Sequence, residues 1–581
     1  MATVSTESLT NIQQSVIDVT NNHKRQNDLS CVDRVYEYHD RTKHQPGRYA
    51  RSLGYMDWEN QPDPFRRYDQ TIKLSLDHPP VTQTPTYDSL FATRRIPPAT
   101  ICKYSISRLF YESLAISAWK ETGGNRWSLR VNPSSGDLHP TEAYLITGPV
   151  EDLCDVAAVF HYSAYEHALE RRAALTKEEW GVIAQNLPAD SLVIALSSIF
   201  WRESWKYGER AYRYCHHDVG HAIGTVAFAS AALGWQARLL HSILDDDLAG
   251  LLGLQLQKGI EAEHPDCLLV VFPAKDVPSI TTPAISLSGA RLERFYTAEF
   301  EGSPNALSAH HHEWPIIDAV AEACRIKSRL SLDVNQEPTI ESHNKHDPGE
   351  DRQISARKII RERRSALEMD GHTSISKDTF YRMMAHITPL LGQNIVQVLP
   401  WLARISLGLF IHRVEGLCPG LYTLVRHPSH ENPLRKALRA EFCWEKPQGC
   451  PKSLPLYLLR ATDGRDAARV ICCHQDIASN GAFALGMLAE FDAAVEQNGA
   501  PFYPRLFWEA GLIGQVLYLE AEAAGTRSTG IGCFFDDTMH EVFGIRDHSW
   551  QSLYHFTVGG ALDDPRLQTL PAYWHLSQSS P

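Results

Sequence analysis

The apolar residues of this chain fall into two kinds of stretch. Short runs with little polar interruption predict buried strands over Ala143 to Ile146, Asp190 to Phe200 and Cys267 to Phe272. A longer stretch rich in small residues, Asp218 to Leu233, predicts a helix that stops at Gly234. Leu109, Phe110, Leu114, Ile116 and Trp119 approximate a 3.6-residue period and predict a helix over Ser105 to Thr122. Ile316, Ile317, Val320 and Ala321 predict another ahead of Arg325. In the second half, helices are expected over Ser376 to His386, Phe483 to Val495 and Trp508 to Ala524, the last closed by Gly525. Strands are expected over Leu407 to His412, Leu454 to Leu459 and Tyr554 to Val558.

Polar stretches mark the boundaries. Residues 1–30 read as a disordered tail, and Tyr36 to Pro80 as an extended arm with no sustained period. Trp201 to Tyr214 is a polar aromatic segment, and Lys327 to Arg352 a charged linker. The expected division is a tail (1–30), a first domain with its arm (31–326), a linker (327–352) and a second domain (353–575).

The two halves resemble each other. Asp218-Val219-Gly220 aligns with Glu509-Ala510-Gly511. At the same offset, Leu233-Gly234 meets Ala524-Gly525, Asp245-Asp246 meets Asp536-Asp537, and Gly253-Leu254 meets Gly544-Ile545. Upstream, Arg94-Arg95 aligns with Arg363-Arg364, and Ser105-Ile106-Ser107 with Ser374-Ile375-Ser376. Two segments in one order point to a duplicated α+β domain. Two such copies are expected to pack as an intramolecular pseudo-dimer, leaving the chain able to act as a monomer.

Composition narrows the partners. Among 581 residues, 43% are hydrophobic and 22% charged, which is ordinary for a globular protein of several domains. A net charge of −13 argues against nucleic acid as a partner, and no apolar run is long enough to span a membrane. The first thirty residues carry no apolar signal core, so a cytoplasmic location with reduced thiols is expected. Neither a Gly-x-Gly-x-x-Gly turn nor a phosphate-binding P-loop is present.

Three motifs carry candidate chemistry. Arg130-Val131-Asn132-Pro133-Ser134-Ser135-Gly136 joins a cation to a tight turn with two hydroxyls. It reads either as a polar turn before a strand or as a loop that aims donors at an anionic ligand. His310-His311-His312 is expected to be a solvated loop rather than a metal site, and no metal is expected. Cys472-Cys473-His474 follows a strand-like Ala468 to Ile471, and buried strand cysteines are expected there rather than a thiol redox centre.

Arg363-Arg364-Ser365 near a domain start, the Pro133-Ser134-Ser135-Gly136 loop, and a Glu509-Ala510-Gly511 helix leading to Thr529-Gly530-Ile531-Gly532 together resemble the nitroreductase family of FMN flavoproteins. Arg130 to Ile146, with Trp205-Lys206-Tyr207-Gly208-Glu209-Arg210 and Asp218-Val219-Gly220-His221, is more narrowly similar to the SagB-type dehydrogenases, which include azoline-oxidising enzymes. The resemblance implies two nitroreductase-like domains, each a mostly antiparallel sheet flanked by helices, with FMN held between them. Carried over by motif, Arg363, Arg364, Ser365, Gly530 and Gly532 of the second half and Arg130, Asn132, Pro133, Ser134, Ser135 and Gly136 of the first would form one composite FMN site. Lys206 and Tyr207 match the catalytic pair or form a surface lysine beside a packing tyrosine; as a base the lysine needs burial or a nearby cation to lower its pKa, and Arg202 and Arg210 are the candidate cations. The implied activity is hydride exchange at flavin N5 with a small-molecule or modified-peptide substrate, using O2 or NAD(P)H as redox partner. The alternatives are an NAD(P)H-dependent nitro- or quinone-reductase and a flavin-free binding scaffold.

Overall fold

Two antiparallel sheets carry the two halves, and their strands are ordered alike. The computed structural model describes residues 29–91, 96–241, 243–274, 299–328, 352–389 and 395–578. Nearly all of the expected tail and linker, together with Arg94-Arg95, lies outside the described residues. The first sheet runs Ala168–Ala174, Ala158–Ser163, Thr141–Thr147, Leu192–Ser198, His264–Pro273, Trp235–Leu240, with Lys73–Ser75 added at one edge. The second runs Leu456–Ala461, Gly420–Leu424, Ile405–Ile411, Phe483–Glu490, Trp550–Gly559, Arg527–Ile531. Numbered within each half, both orders are 3-2-1-4-6-5, so the repeat seen in sequence is a repeat of topology.

The long small-residue helices, Ala211–Ala232 and Tyr503–Ala523, lie between the sheets and pack on each other. Almost every residue of both is buried, so neither has a solvent-exposed face. Each is followed by a left-handed glycine, Gly234 (φ 69°) or Gly525 (φ 71°). In each half an eight-residue helix then starts at the aligned aspartate, Asp245–Leu252 or Asp536–Phe543. The halves also exchange segments. The helix Cys31–Arg41 packs on the second half through Tyr36–Asp492 and His39–Gln551 hydrogen bonds of 2.7 and 3.1 Å. The late strand Gln568–Leu570 pairs with Ile116–Thr122 of the first half.

The structure redraws four predicted elements. The helix expected over Ser105 to Thr122 ends at Tyr111, and Ile116–Thr122 forms a hairpin with Asn125–Arg130 around Gly123-Gly124, both at positive φ. Phe483–Glu490 is a central strand, not a helix. It is covered on both faces, so it shows no alternation. Arg465–Ile471 is a helix rather than a strand before Cys472. Trp201 to Tyr214, read as polar, is helical and largely buried. Among the described residues, no helix is long and apolar enough to cross a membrane, and no cluster of ligands could hold a metal. His310 to His312 are exposed, with His311 Nε2 2.7 Å from Glu261.

Candidate functional site

The Asn132 to His139 loop leaves the strand Asn125–Arg130 and turns through three left-handed residues, Gly136 (φ 64°), Asp137 (φ 58°) and His139 (φ 52°). Ser134 Oγ accepts the His139 N–H at 2.8 Å and holds the turn closed. Ser135 donates its N–H and its hydroxyl to the Asp218 carboxylate at 3.2 Å, tying the loop to the long helix. Gly136 lies against the Lys-Tyr pair: a β-carbon there would sit 2.6 Å from the Tyr207 hydroxyl and 2.7 Å from Lys206 Nζ. The Pro-Ser-Ser-Gly loop and the Lys206-Tyr207 pair therefore share one place.

Lys206 and Tyr207 end the helix Phe200–Tyr207, which Gly208 terminates at φ 54°. A turn earlier on the same face is Glu203, fully buried, with neither carboxylate oxygen hydrogen-bonded among the described residues. Burial pushes Glu203 far above the usual carboxylate range, and Asp218 adds to this while Lys206 opposes it. Burial also raises Asp218 to about 7, against the pull of the Ser134 and Ser135 hydrogen bonds. Asp137 is raised to about 6 by burial, with Lys206 and Arg363 opposing. The titratable groups around Lys206 are thus carboxyls. Arg202 and Arg210, the candidate cations, are engaged elsewhere: Arg202 with Glu142, and Arg210 with Asp536 at 3.1 Å.

The second half closes the site. Arg363 follows the helix Ala356–Glu362, is buried, and donates from Nη2 to the Arg130 carbonyl at 3.3 Å, 233 residues away. Its guanidinium covers the Tyr518 ring at 4.8 Å, while Nε and Nη1 have no hydrogen-bond partner among the described residues. The Tyr518 hydroxyl joins Ser365 Oγ and the Gly530 N–H, each at 3.0 Å. A β-carbon at Gly530 would meet the Tyr554 hydroxyl at 1.8 Å, and one at Gly532 the Tyr214 ring at 2.1 Å. Tyr554 stacks on His217 at 4.1 Å and bonds His221 Nε2 at 3.2 Å. Both His217 nitrogens are buried without a partner among the described residues.

Two predicted cations point away from this cluster. Arg130 donates from Nη2 to the Pro64 carbonyl at 2.6 Å. Arg364 turns onto the carbonyls of Arg361, Arg363 and Ser117 at 2.6 to 3.1 Å. Asn132 is buried, its Oδ1 without a partner among the described residues, and Pro133 is half-buried beside it. Sequence reasoning missed Glu203, Asp137, Asp218, His217 and Tyr554 as site residues. Only Asp218, singled out by the repeat, and Glu203, one helical turn before Lys206, left a readable signal.

The repeat does not build this arrangement twice. Glu509, aligned with Asp218, accepts the Arg404 and Ile405 N–H groups and pairs with buried Arg426, so its charge is neutralised. Trp508, aligned with His217, donates to His216 Nδ1 at 3.1 Å. A cavity of about 370 Å³ lies on that side, lined by His216, Asp245, His264, Arg505 and Trp508, and it includes none of the predicted site residues.

The family model described as "Nitroreductase family" matches residues 116–271 and 456–560, one region in each half. A crystal structure of a candidate nitroreductase from Anabaena variabilis superposes with a TM-score of 0.63 at 20% identity, covering 91% of this chain and 99% of that one. A candidate nitroreductase from Ralstonia eutropha matches 39% of this chain and 98% of its own at 15% identity. The E. coli microcin synthetase McbBCD complex, with truncated pro-MccB17 bound, matches 42% of this chain and 94% of its own at 17% identity. Both of these have a TM-score of 0.26, which adds nothing to the fold. No curated protein matches the chain in sequence. The chain has the nitroreductase fold, in two tandem copies joined as an intramolecular pseudo-dimer.

Proposed function

We propose that this chain is an FMN-dependent oxidoreductase of the SagB type with one composite site. The observation that carries the reading is Arg363, a buried guanidinium from the second half whose Nε and Nη1 have no hydrogen-bond partner among the described residues, bonded across the interface to the Arg130 carbonyl of the first half. Buried guanidinium N–H groups without hydrogen-bond partners are costly, and a phosphate group would satisfy them. The glycines bring the site's side chains close to the backbone: Gly136 admits Lys206 and Tyr207, Gly530 admits Tyr554, and Gly532 admits Tyr214, each where a β-carbon would collide. Arg363, Ser365, Gly530 and Gly532 would hold the cofactor from one side, and Asn132 to Gly136 from the other.

Bound FMN would supply hydride acceptance and donation at its N5. The protein's part is proton handling and exclusion of water. Asp218 and Asp137, raised to about 7 and 6, change charge near neutrality beside Lys206 and Tyr207. The Lys206-Tyr207 pair would present a proton-transfer group to a small-molecule or modified-peptide substrate, with O2 as the final acceptor. Buried His217 and Tyr554 would give the site an aromatic wall with little water.

The test is an absorbance spectrum and flavin quantitation of the purified chain. One FMN per chain is expected; two would remove the composite site, and colourless protein that takes up no added FMN would remove the activity. Rapid anaerobic bleaching by NADPH alone would favour a nitro- or quinone-reductase.

A further inference from the structure

The thiols of Cys473 and Cys533 lie 2.9 Å apart, although 60 residues separate them in sequence. Cys533 follows Gly532 at the end of the strand Arg527–Ile531. Cys473 and His474 are successive residues at positive φ (54° and 62°), a conformation that β-carbon-bearing residues rarely adopt. That turn places the Cys473 side chain over Cys533. Two contacts tie the segments together: the Phe535 N–H bonds the Ile471 carbonyl at 2.7 Å, and Gln475 Nε2 reaches both the Cys472 and Cys533 carbonyls, at 2.8 and 3.1 Å. Both thiols are half-buried beneath Tyr49, which is half exposed.

The surroundings distinguish the two sulfurs. The Ala50 N–H donates to His44 Nδ1 at 2.8 Å, so the neutral ring carries its proton on Nε2. The His44 ring lies beside the Cys533 thiol. The Cys473 thiol, the His44 ring and the Arg210 guanidinium together pull Cys533 toward the thiolate, while Cys473 is pushed the other way by the same contact and by burial. Cys472, the adjacent thiol, is buried against His555 and takes no part.

We propose that Cys473 and Cys533 form a redox-active dithiol that reduces small disulfides by thiol–disulfide exchange. The Cys533 thiolate attacks one sulfur of the disulfide RS–SR, forming a Cys533–SR bond and releasing RS⁻. The Cys473 sulfur then attacks Cys533, forming the internal disulfide and expelling the second RS group, which leaves with the Cys473 proton. The dithiol loses two electrons and the small disulfide gains them. Excess small thiol runs both steps backward.

The probe is glutathione disulfide added to the reduced full-length chain, followed by acid quench, alkylation and peptide mass spectrometry. The wild type is expected to link the Cys473 and Cys533 peptides and release two glutathiones per linked chain. Cys473→Ser is expected to stop at a glutathione adduct on Cys533. Cys533→Ser is expected to form neither product at that rate, and His44→Gln to slow the first step about tenfold. The exposed Cys418 and Cys443 are comparators within each sample. The proposal is overturned if the wild type forms no linked peptide, or if Cys533 is modified no faster than Cys418. It is also overturned if Cys533→Ser acquires glutathione on Cys473 as fast as the wild type does on Cys533.

Discussion

Gly220 and Gly511, aligned positions in the two copies, touch each other where the long helices cross. A β-carbon on Gly220 would lie 2.4 Å from the Trp508 carbonyl and 2.8 Å from Gly511 Cα. One on Gly511 would lie 2.2 Å from the His217 carbonyl and 2.8 Å from Gly220 Cα. The reciprocity is that of a two-fold interface within one chain. Backbone cannot move aside as a side chain can. Gly220→Ala and Gly511→Ala are each expected to cost about 1–3 kcal/mol, read from denaturant midpoints. Losses that add fully in the double variant would show that the contact is not shared.

Arg363→Ala separates ligand binding from fold. A charged hydrogen bond is worth about 1.5–3 kcal/mol, so FMN affinity is expected to fall about tenfold or more. The apo chain should lose little stability, because two guanidinium nitrogens, Nε and Nη1, have no partner among the described residues. Paired flavin titration and apo melting check both halves of the statement. A large apo loss with unchanged flavin affinity would make Arg363 structural only.

Gly136→Ala forces a β-carbon onto Lys206 and Tyr207 at a backbone φ of 64°. Turnover is expected to fall at least about tenfold, as a small misplacement of catalytic groups does, with flavin content kept. Gly123→Ala carries comparable strain (φ 55°) with nothing within 4 Å, and should leave turnover near wild type. Lys206→Ala should match Gly136→Ala in losing turnover while holding flavin. Retained turnover in Lys206→Ala removes the Lys-Tyr mechanism.

Asp218 sets a pH signature. Its carboxyl is raised to about 7 by burial, so its charge appears as pH rises through neutrality. The folded state binds that proton more tightly than the unfolded chain. Its contribution to stability is therefore present at low pH and declines between about 4 and 7. A kcat/KM profile with an inflection near pH 7 is expected, and Asp218→Asn should flatten both that profile and the decline in stability. An unchanged inflection in the variant would assign it to another group.

His161 gives the opposite test, away from the site. Burial alone would lower it, but hydrogen bonds with Glu142 and Glu170, at 3.1 and 2.9 Å, outweigh that and hold it up to about 9. Stability from this pair of contacts is complete below about pH 6.5 and is lost as pH rises through 9, with a slope of at most about 1.4 kcal/mol per unit. Chemical denaturation from pH 6 to 10 should show the slope in the wild type and a shallower one in Glu170→Gln.

The sequence by itself determined the duplication, the α+β class and the places of most buried strands. Each of these rests on local apolar runs and on one constant spacing between Asp218-Val219-Gly220 and Glu509-Ala510-Gly511. It misled at Phe483–Glu490, because a strand buried on both faces loses the alternation that distinguishes it from a buried helix. It misled also at Ile116–Thr122, where apolar spacing outweighed the Gly123-Gly124 turn. Motif matching brought forward Lys206, Tyr207, the Pro-Ser-Ser-Gly loop and Arg363. Only the tertiary structure decided that Gly136 meets Lys206 and Tyr207, and that Arg363 reaches the Arg130 carbonyl. It alone decided that Arg130 and Arg364 spend their guanidinium groups on backbone carbonyls and that Cys473 finds Cys533. A side chain's charge and type are local properties. Its partner, its burial and hence its protonation depend on which distant backbone folds beside it.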